Sequence, residues 1–162
     1  MSILIPMSSD AFTRYVESAI ISYAEQNIKS GRWPAENAMA QSLVEHDKLL
    51  PLGLQTPDNY LFEIRGIGES SELAVGTLWL AVIEKGGVRS AYIYNIEVAE
   101  SYRRQGHAKR AFAALELFVR SIGLSVIGLH VFAFNSGAQA LYVSLGYEVT
   151  GINMQKQIQQ ID

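Results

Sequence analysis

Hydrophobic and polar positions follow two different periods along the chain, and the change of period marks its elements. In the first third, apolar residues recur at helical spacing from Phe12 to Tyr23 and again, with Met39 and Leu43 on the apolar face, up to Leu50. In the middle third, short runs rich in β-branched and aromatic residues alternate with glycine-containing turns, which is typical of strands. The pattern predicts helices over 8–30 and 33–50, and strands over 2–6, 60–64, 73–83 and 91–98.

The last third adds a crossover to these strands. A helix with a regular apolar stripe follows the strand 91–98 and ends near Ile122, and the apolar run 126–132 is the next strand. A strand–helix–strand connection of this kind places its two strands side by side and parallel. A short helix over 135–145 and a last strand over 147–156 complete the pattern. We therefore expect an α/β fold of the α+β type: an antiparallel meander, then a crossover, on a mixed central sheet of six to seven strands with about four helices.

Length and composition favour one compact unit. The chain has 162 residues, of which 49% are hydrophobic and 18% charged, so we expect a single domain over 1–162. The absence of cysteine excludes a disulfide framework and a thiolate nucleophile. No signal-peptide pattern opens the chain and no run reaches the ~18 apolar residues of a membrane span, so a cytoplasmic protein that does not bind membranes is expected.

Charge singles out one segment. The chain carries 13 Lys and Arg against 16 Asp and Glu, and four of those cations lie between positions 101 and 110, where no acidic residue occurs. Without them, nine cations face 16 anions, a balance of −7. A nucleic-acid surface needs a broad basic face, so this distribution argues against one. It suits a local site for a small anion on a body that tolerates a cationic partner.

The basic segment lies where a strand ends and a helix begins. A helix start leaves several backbone N–H groups unpaired and carries a partial positive charge, so an anion can dock there. Gly106 would let a diphosphate approach the backbone, and Arg103 and Arg104 would add planar donors. The dinucleotide fingerprint and the phosphate-loop motif are both absent from this turn.

Three segments resemble one family. The spacing Arg103-x-x-Gly106-x-Ala108 resembles the [Q/R]-x-x-G-x-[G/A] signature of the GNAT N-acetyltransferases. Residues 135–147, NSGAQALYVSLGY, look like the family segment N-x-x-A-x-x-L-Y-x-x-L-G-[FY]. The ending Asn153-Met154-x-Lys156 is similar to that of many small bacterial members.

The resemblance implies a reaction and a binding site. The reaction is transfer of an acetyl group from acetyl-CoA, by direct attack in a ternary complex, to a primary amine of a small molecule or protein. The pantetheine arm would pair with the strand edge Ile96–Val98, in a wedge that this edge forms with 131–133, and the Val98 N–H would be the oxyanion donor. The implied acetyl-CoA contacts are Ile96, Val98, Arg103, Arg104, Gln105, Gly106, His107, Ala108, Lys109, Asn135, Ala138 and Tyr142.

Catalytic roles follow from the same comparison. Tyr142 matches the family tyrosine that protonates the departing thiolate, since a phenol with a reference pKa of about 10 can give up a proton there. His130 occupies a place where some members have a glutamate, and Glu97 lies beside the pantetheine edge. Either could accept the proton of the amine, and the sequence leaves that choice open. The side chain of His107 is expected to face acetyl-CoA or solvent rather than to act in catalysis.

Further expectations concern a non-catalytic alternative, metals and partners. A sensor domain that binds CoA or acyl-CoA without turnover would keep the basic turn and lose the acid, so the presence of Tyr142 favours an enzyme. Three scattered histidines and no cysteine argue against a metal site.

An amine acceptor is expected between the first helices, the loop 51–59 and the strand containing Trp79. A homodimer is compatible with the resemblance, because dimers are common in the family.

Overall fold

A five-stranded mixed sheet forms the centre of the computed structural model, which describes residues 2–161. The strands lie in chain order across the sheet. The first four pair antiparallel and the fifth is parallel to the fourth. The strands are β1 Leu4–Pro6, β2 Asn59–Arg65, β3 Ala74–Lys85, β4 Val88–Val98 and β5 Ile127–Leu129.

Four α-helices cover the sheet. The Ser8 side chain caps the first helix by accepting from the Ala11 N–H at 3.2 Å, and Gly106 occupies the corresponding position before the third. Both polar caps and flexible residues are common at helix starts. The helices are α1 Ser9–Lys29, α2 Ala38–Leu49, α3 His107–Ser121 and α4 Ser136–Ser144.

Two hydrophobic clusters pack on the two faces of the sheet. The larger lies under α3 and contains Ile64, Leu78, Phe112 and Leu115, and α4 contributes partly buried side chains to its border. The smaller lies under α1 and is centred on Trp79. The strands β2 to β4 are therefore covered on both faces.

A β-bulge in β4 changes which side chains of that strand face α3 and which face α1. Trp79 pairs with Asn95 and Leu80 pairs with Ile93, so Tyr94 is the extra residue. An extra residue shifts the alternation of side chains by one. Before the bulge Ile93 packs into the cluster under α3, whereas after it Ile96 does.

The helix count, the meander and the parallel crossover are confirmed, but within residues 2–161 the number of strands is five rather than six or seven. The predicted strand 147–156 is not a strand in the structure, and the predicted strand 126–132 shrinks to Ile127–Leu129. Val149 and Met154 are 74% and 91% exposed. Apolar alternation stabilises a strand only against a surface that it can cover, and these side chains have none.

The buried face of α2 also differs from the predicted one. Met39 and Leu43 are about half exposed, whereas Ala38, Ser42 and His46 are buried. The Ser42 hydroxyl donates to a carbonyl oxygen of α1 at 2.7 Å, so small residues bring the two helices together. Within residues 2–161, no helix has the length and apolar character needed to cross a membrane.

Candidate functional site

The turn between β4 and α3 presents a row of unpaired backbone donors. Arg104 and Gly106 both have positive φ angles, of 63° and 85°. Among the described residues, no N–H group from Arg104 to Lys109 has a backbone or side-chain acceptor, and pairing resumes where the Arg110 N–H donates to the Gly106 carbonyl at 3.1 Å. A Cβ built on Gly106 would meet no protein atom within 4 Å, so the space before these donors is open. The turn can hold an anion against its backbone.

The side chains of this turn lie on both sides of it. Arg103, Arg104, Gln105 and Lys109 are exposed, and Ala108 is half-buried. His107 is only 2% exposed, so the expectation that its side chain faces acetyl-CoA or solvent is wrong. Its Nδ1 lies 2.9 Å from a backbone carbonyl oxygen, because the first helical turn directs this position toward the core. Only the backbone N–H of His107 remains at the open turn.

The register of β3 and β4 sets the direction of the backbone groups at the end of β4. The Ala99 N–H donates to the Val75 carbonyl at 2.8 Å, so this pair is a hydrogen-bonded one. Hydrogen-bonded and non-hydrogen-bonded pairs alternate in an antiparallel ladder, so the N–H groups of Val98 and Ile96 point away from β3. The Arg103 Nε donates to the Val98 carbonyl at 2.7 Å. The Val98 N–H faces the outer edge.

Beyond Ile93, that outer edge has no strand partner among residues 2–161. The neighbouring strand β5 pairs with β4 only as far as Ile93, opposite Leu129. Beyond this point the two strands no longer pair, and the end of β4 carries a free edge that begins at the bulge. The segment 131–133, expected to form the other wall of a wedge, follows β5 without strand pairing.

Gly76 is part of this geometry and was missed in the sequence. It lies opposite Val98 in the ladder. A Cβ at Gly76 would lie 2.3 Å from the Glu97 carbonyl oxygen and 3.1 Å from the Val98 Cα. Glycine therefore sets how closely β3 approaches the end of β4. The available signal was a glycine inside a strand pattern, which marks a close backbone approach.

Glu97 and His130 have different surroundings. The Glu97 carboxylate lies 3.7 Å from the Arg103 guanidinium, and both side chains are about half exposed. Glu97 also lines a cavity of about 310 Å³ between α1 and the sheet. His130 lies outside this cavity, with its ring edge-on to Phe132 at 4.9 Å. Desolvation, and after it the Arg32 guanidinium, lowers the pKa of His130.

The floor of the cavity contains a tyrosine that is held neutral. Burial, and then the charge of Glu97, raises the pKa of Tyr15 well above its usual range. Its hydroxyl donates to Asn95 Oδ1 over 3.4 Å. The walls come from α1 and from β2, β3 and β4, whereas the loop 51–59 and Trp79 do not line the cavity.

The remaining predicted residues lie on and before α4. Asn135 Oδ1 accepts from the Ala138 N–H at 3.2 Å, so Asn135 caps this helix. Tyr142 is half-buried, with its ring edge-on to Phe112 at 5.7 Å and tilted against Tyr147 at 5.9 Å. Burial raises the pKa of Tyr142. A proton on this phenol is therefore held firmly at neutral pH.

In the part of the chain that the structure describes, no group of three or more His, Asp or Glu side chains could hold a metal ion.

Known proteins resemble this arrangement in sequence and in fold. The profile of the Acetyltransferase (GNAT) family matches residues 26–147. An uncharacterized N-acetyltransferase of Bacillus subtilis (strain 168), YycN, is 36% identical over 155 residues, which cover 96% of this chain and 97% of YycN. A second protein of that organism, the uncharacterized N-acetyltransferase YdgE, is 31% identical over 152 residues, or 94% of this chain and 95% of YdgE.

Solved structures agree with these relatives. The crystal structure of YycN superimposes with a TM-score of 0.89 at 35% identity and covers 97% of this chain and 98% of that one. The enzyme AAC(6')-Iy, in complex with the bisubstrate analog CoA-S-monomethyl-acetylneamine, superimposes with a TM-score of 0.60 over 97% of both chains. Its identity is 17%, so it shows a common fold alone. From its sequence, its fold and these relatives, the chain belongs to the GNAT family of acetyltransferases.

Proposed function

We propose that this protein transfers the acetyl group of acetyl-CoA to a primary amine of a small molecule or protein, by direct attack in a ternary complex. The observation that carries the proposal is a juxtaposition in chain and space: the unpaired N–H groups from Arg104 to Lys109 directly follow the free edge of β4. The unpaired N–H groups suit a diphosphate, and the free edge of β4 suits an extended arm that contains amides. Family membership and relatives named N-acetyltransferases support the same reading.

Acetyl-CoA would be held along this path by residues that fit its parts. The N–H groups at 104–109, the positive end of α3 and the side chains of Arg104 and Lys109 would hold the diphosphate. The backbone groups of Ile96 and Val98 would pair with the pantetheine amides. Asn135 and Ala138 at the start of α4 complete the proposed set.

The acetyl donor supplies an activated acyl group and a thiolate leaving group. The outward N–H of Val98 would donate to the carbonyl oxygen as negative charge develops on it, and one such donor is typically worth about 10²- to 10³-fold in rate. The Tyr142 phenol would donate its proton to the departing sulfur. Burial raises the pKa of this phenol, so it carries its proton at pH 7 before the sulfur departs.

The amine must lose a proton before it can attack. Of the two predicted acceptors, Glu97 is supported by its place on the wall of the cavity beside the free edge. His130, whose lowered pKa leaves the ring neutral at pH 7, is the second candidate. Substituting each in turn separates them, because only the true proton acceptor removes the acid limb of the pH–rate profile.

A thiol-release assay tests this function. The full chain with acetyl-CoA should release free CoA only when an amine is added, and Tyr142→Phe should slow that release while acetyl-CoA still binds. Polyamines, aminoglycosides, amino acids and peptides with free N-termini form the panel. Binding of acetyl-CoA without release across this panel would overturn the enzyme and favour a sensor.

A further inference from the structure

The cavity between α1 and the sheet has the size of a small-molecule site. Its volume of about 310 Å³ is many times the ~10–15 Å³ that one buried water requires, so it can hold a small organic molecule. It opens beside the end of β4, where acetyl transfer is proposed. Tyr15 and Ser18 line it from α1, and Asn95 lines it from β4. An acceptor in this cavity would be a small amine.

Two carboxylates lie in one row across the strands that form the cavity. Glu63 on β2 pairs with Thr77 on β3, and Thr77 pairs with Glu97 on β4. All three line the cavity, so they share the face of the sheet that packs against α1. Neighbouring strands are ~4.8 Å apart, which separates the Cα atoms of Glu63 and Glu97 by about 10 Å. Thr77 therefore lies between the two acidic residues in the register of the sheet.

The two carboxylates differ in their partners. Glu97 has Arg103 at 3.7 Å. Glu63 is half-buried, and within residues 2–161 no Lys or Arg nitrogen lies within 4.0 Å of its carboxylate. Among the described residues that line the cavity, Arg14 is the one cation, and it is exposed on α1. A partly buried carboxylate without a paired counter-charge attracts a cation, so the Glu63 end of the cavity favours one.

We propose that the acceptor is a small diamine, bound with one amino group at the Glu97 end and its second, charged amino group on Glu63. This rests on the proposed N-acetyltransferase function and adds the substrate class. The ammonium at the reacting end gives a proton to Glu97, and its nitrogen then bonds to the acetyl carbon as the carbon–sulfur bond breaks. Glu97 passes this first proton to water, Tyr142 gives its own proton to the departing sulfur, and Glu97 then takes the extra proton of the new amide nitrogen. Return of that proton through water to the Tyr142 phenolate restores both groups, so one proton in all is released to water. The second ammonium keeps its charge throughout and positions the first.

Two amines of equal size test the proposal. Putrescine and pentylamine have the same number of non-hydrogen atoms, and pentylamine has a methyl group in place of the second ammonium. With the full chain and acetyl-CoA, kcat/KM for putrescine should exceed that for pentylamine by at least tenfold, since a charge-assisted hydrogen bond is among the stronger polar contacts. Added salt should lower the ratio, because this end of the cavity is partly open.

Variants of single carboxylates show which residue causes the preference for putrescine over pentylamine. Glu63→Gln should bring the ratio of the two kcat/KM values close to one, Glu63→Asp should leave it intermediate, and Glu84→Gln, an exposed carboxylate in the β3–β4 hairpin, should leave the wild-type ratio. Thermal midpoints of each variant report whether it folds. Equal use of both amines by the wild-type chain, or an unchanged ratio in folded Glu63→Gln, would overturn the diamine and leave the acetyltransferase standing. Failure to release CoA with every amine would instead reject the acetyltransferase.

Discussion

The imidazole of His107 connects the two ends of the basic turn on its buried side. Its Nδ1 lies 2.9 Å from the carbonyl oxygen of Tyr102, and its ring is edge-on to the ring of Tyr102 at 6.1 Å. The two residues bracket the segment in which Arg104 and Gly106 take positive φ angles. His107 Nε2 is buried and has no hydrogen-bond partner among the described residues. A buried polar atom without a partner destabilises a fold by about 1–3 kcal/mol, so this histidine is not explained by packing alone.

Replacing His107 by leucine should therefore separate stability from binding. His107→Leu removes the unsatisfied nitrogen and also the hydrogen bond to the Tyr102 carbonyl, two effects of opposite sign and about 1 kcal/mol each, so the free energy of unfolding should change little. Acetyl-CoA should nevertheless bind about tenfold more weakly, because the turn is no longer held. His107→Asn, whose amide can replace Nδ1, should restore binding. Calorimetry with acetyl-CoA and with S-acetylpantetheine checks the cause, since the latter lacks the diphosphate and should lose no affinity. Equal losses for both ligands would contradict a role in the turn.

Gly76 should control the rate through the position of β4. In Gly76→Ala the new Cβ would lie 2.3 Å from the Glu97 carbonyl oxygen, so the end of β4 must move. A displacement of about 1 Å in a catalytic group can lower the rate by about 10²-fold. We expect kcat to fall by this order while circular dichroism shows a retained fold. Gly151→Ala is the matched control, because a Cβ there meets no atom within 4 Å.

Gly106 and Gly123 offer a matched pair at the two ends of α3. Both have positive φ, of 85° and 81°, and a Cβ at either would meet no protein atom. Alanine at either position should destabilise the fold by about 1–2 kcal/mol, because L-residues disfavour this region. Only Gly106→Ala should also weaken acetyl-CoA binding, since its methyl group fills the space before the unpaired donors. Comparable affinities in the two variants, measured by calorimetry, would count against the turn as the binding site.

Tyr147 should make the free energy of unfolding decline at alkaline pH. Burial, and then the charges of Glu116 and Tyr142, raises the pKa of Tyr147 to about 12, and its buried hydroxyl has no partner among the described residues. Since the folded value lies above the ordinary value of about 10, the contribution of the protonated phenol is complete below pH ~10 and is lost as pH rises toward 12. Tyr147→Phe should raise the free energy of unfolding at pH 7 by about 1 kcal/mol and reduce its decline above pH 10. Urea unfolding between pH 7 and 11 measures both, and a parallel decline in both proteins would refute the assignment.

Sequence reasoning succeeded where the determining contacts are local. The basic turn, the helix after it and the crossover follow from neighbouring residues, because a helix start and a turn are specified within a few positions. The bulge at Tyr94 was not predicted, although the shift of apolar residues from Ile93 to Ile96 records it. At this bulge the residues of β4 that face the core change from odd to even positions, and no glycine or proline marks the change.

Register and packing account for what was missed. The row formed by Glu63, Thr77 and Glu97 depends on which residues of three strands pair, and a pattern of alternation does not contain that information. The same holds for the inward orientation of His107. The absence of the last predicted strand has another cause: its residues alternate as a strand should, but no strand edge in the described part of the chain pairs with them.

The binding of acetyl-CoA by the turn before α3 is the claim on which the proposed function depends. Amide resonances of the labelled full chain, followed by NMR as acetyl-CoA is added, test it most directly. If the turn binds acetyl-CoA, the N–H groups from Arg104 to Lys109 should shift saturably, together with those of Ile96 and Val98 on the free edge of β4. Saturable binding that leaves the resonances of 104–109 in place would contradict it.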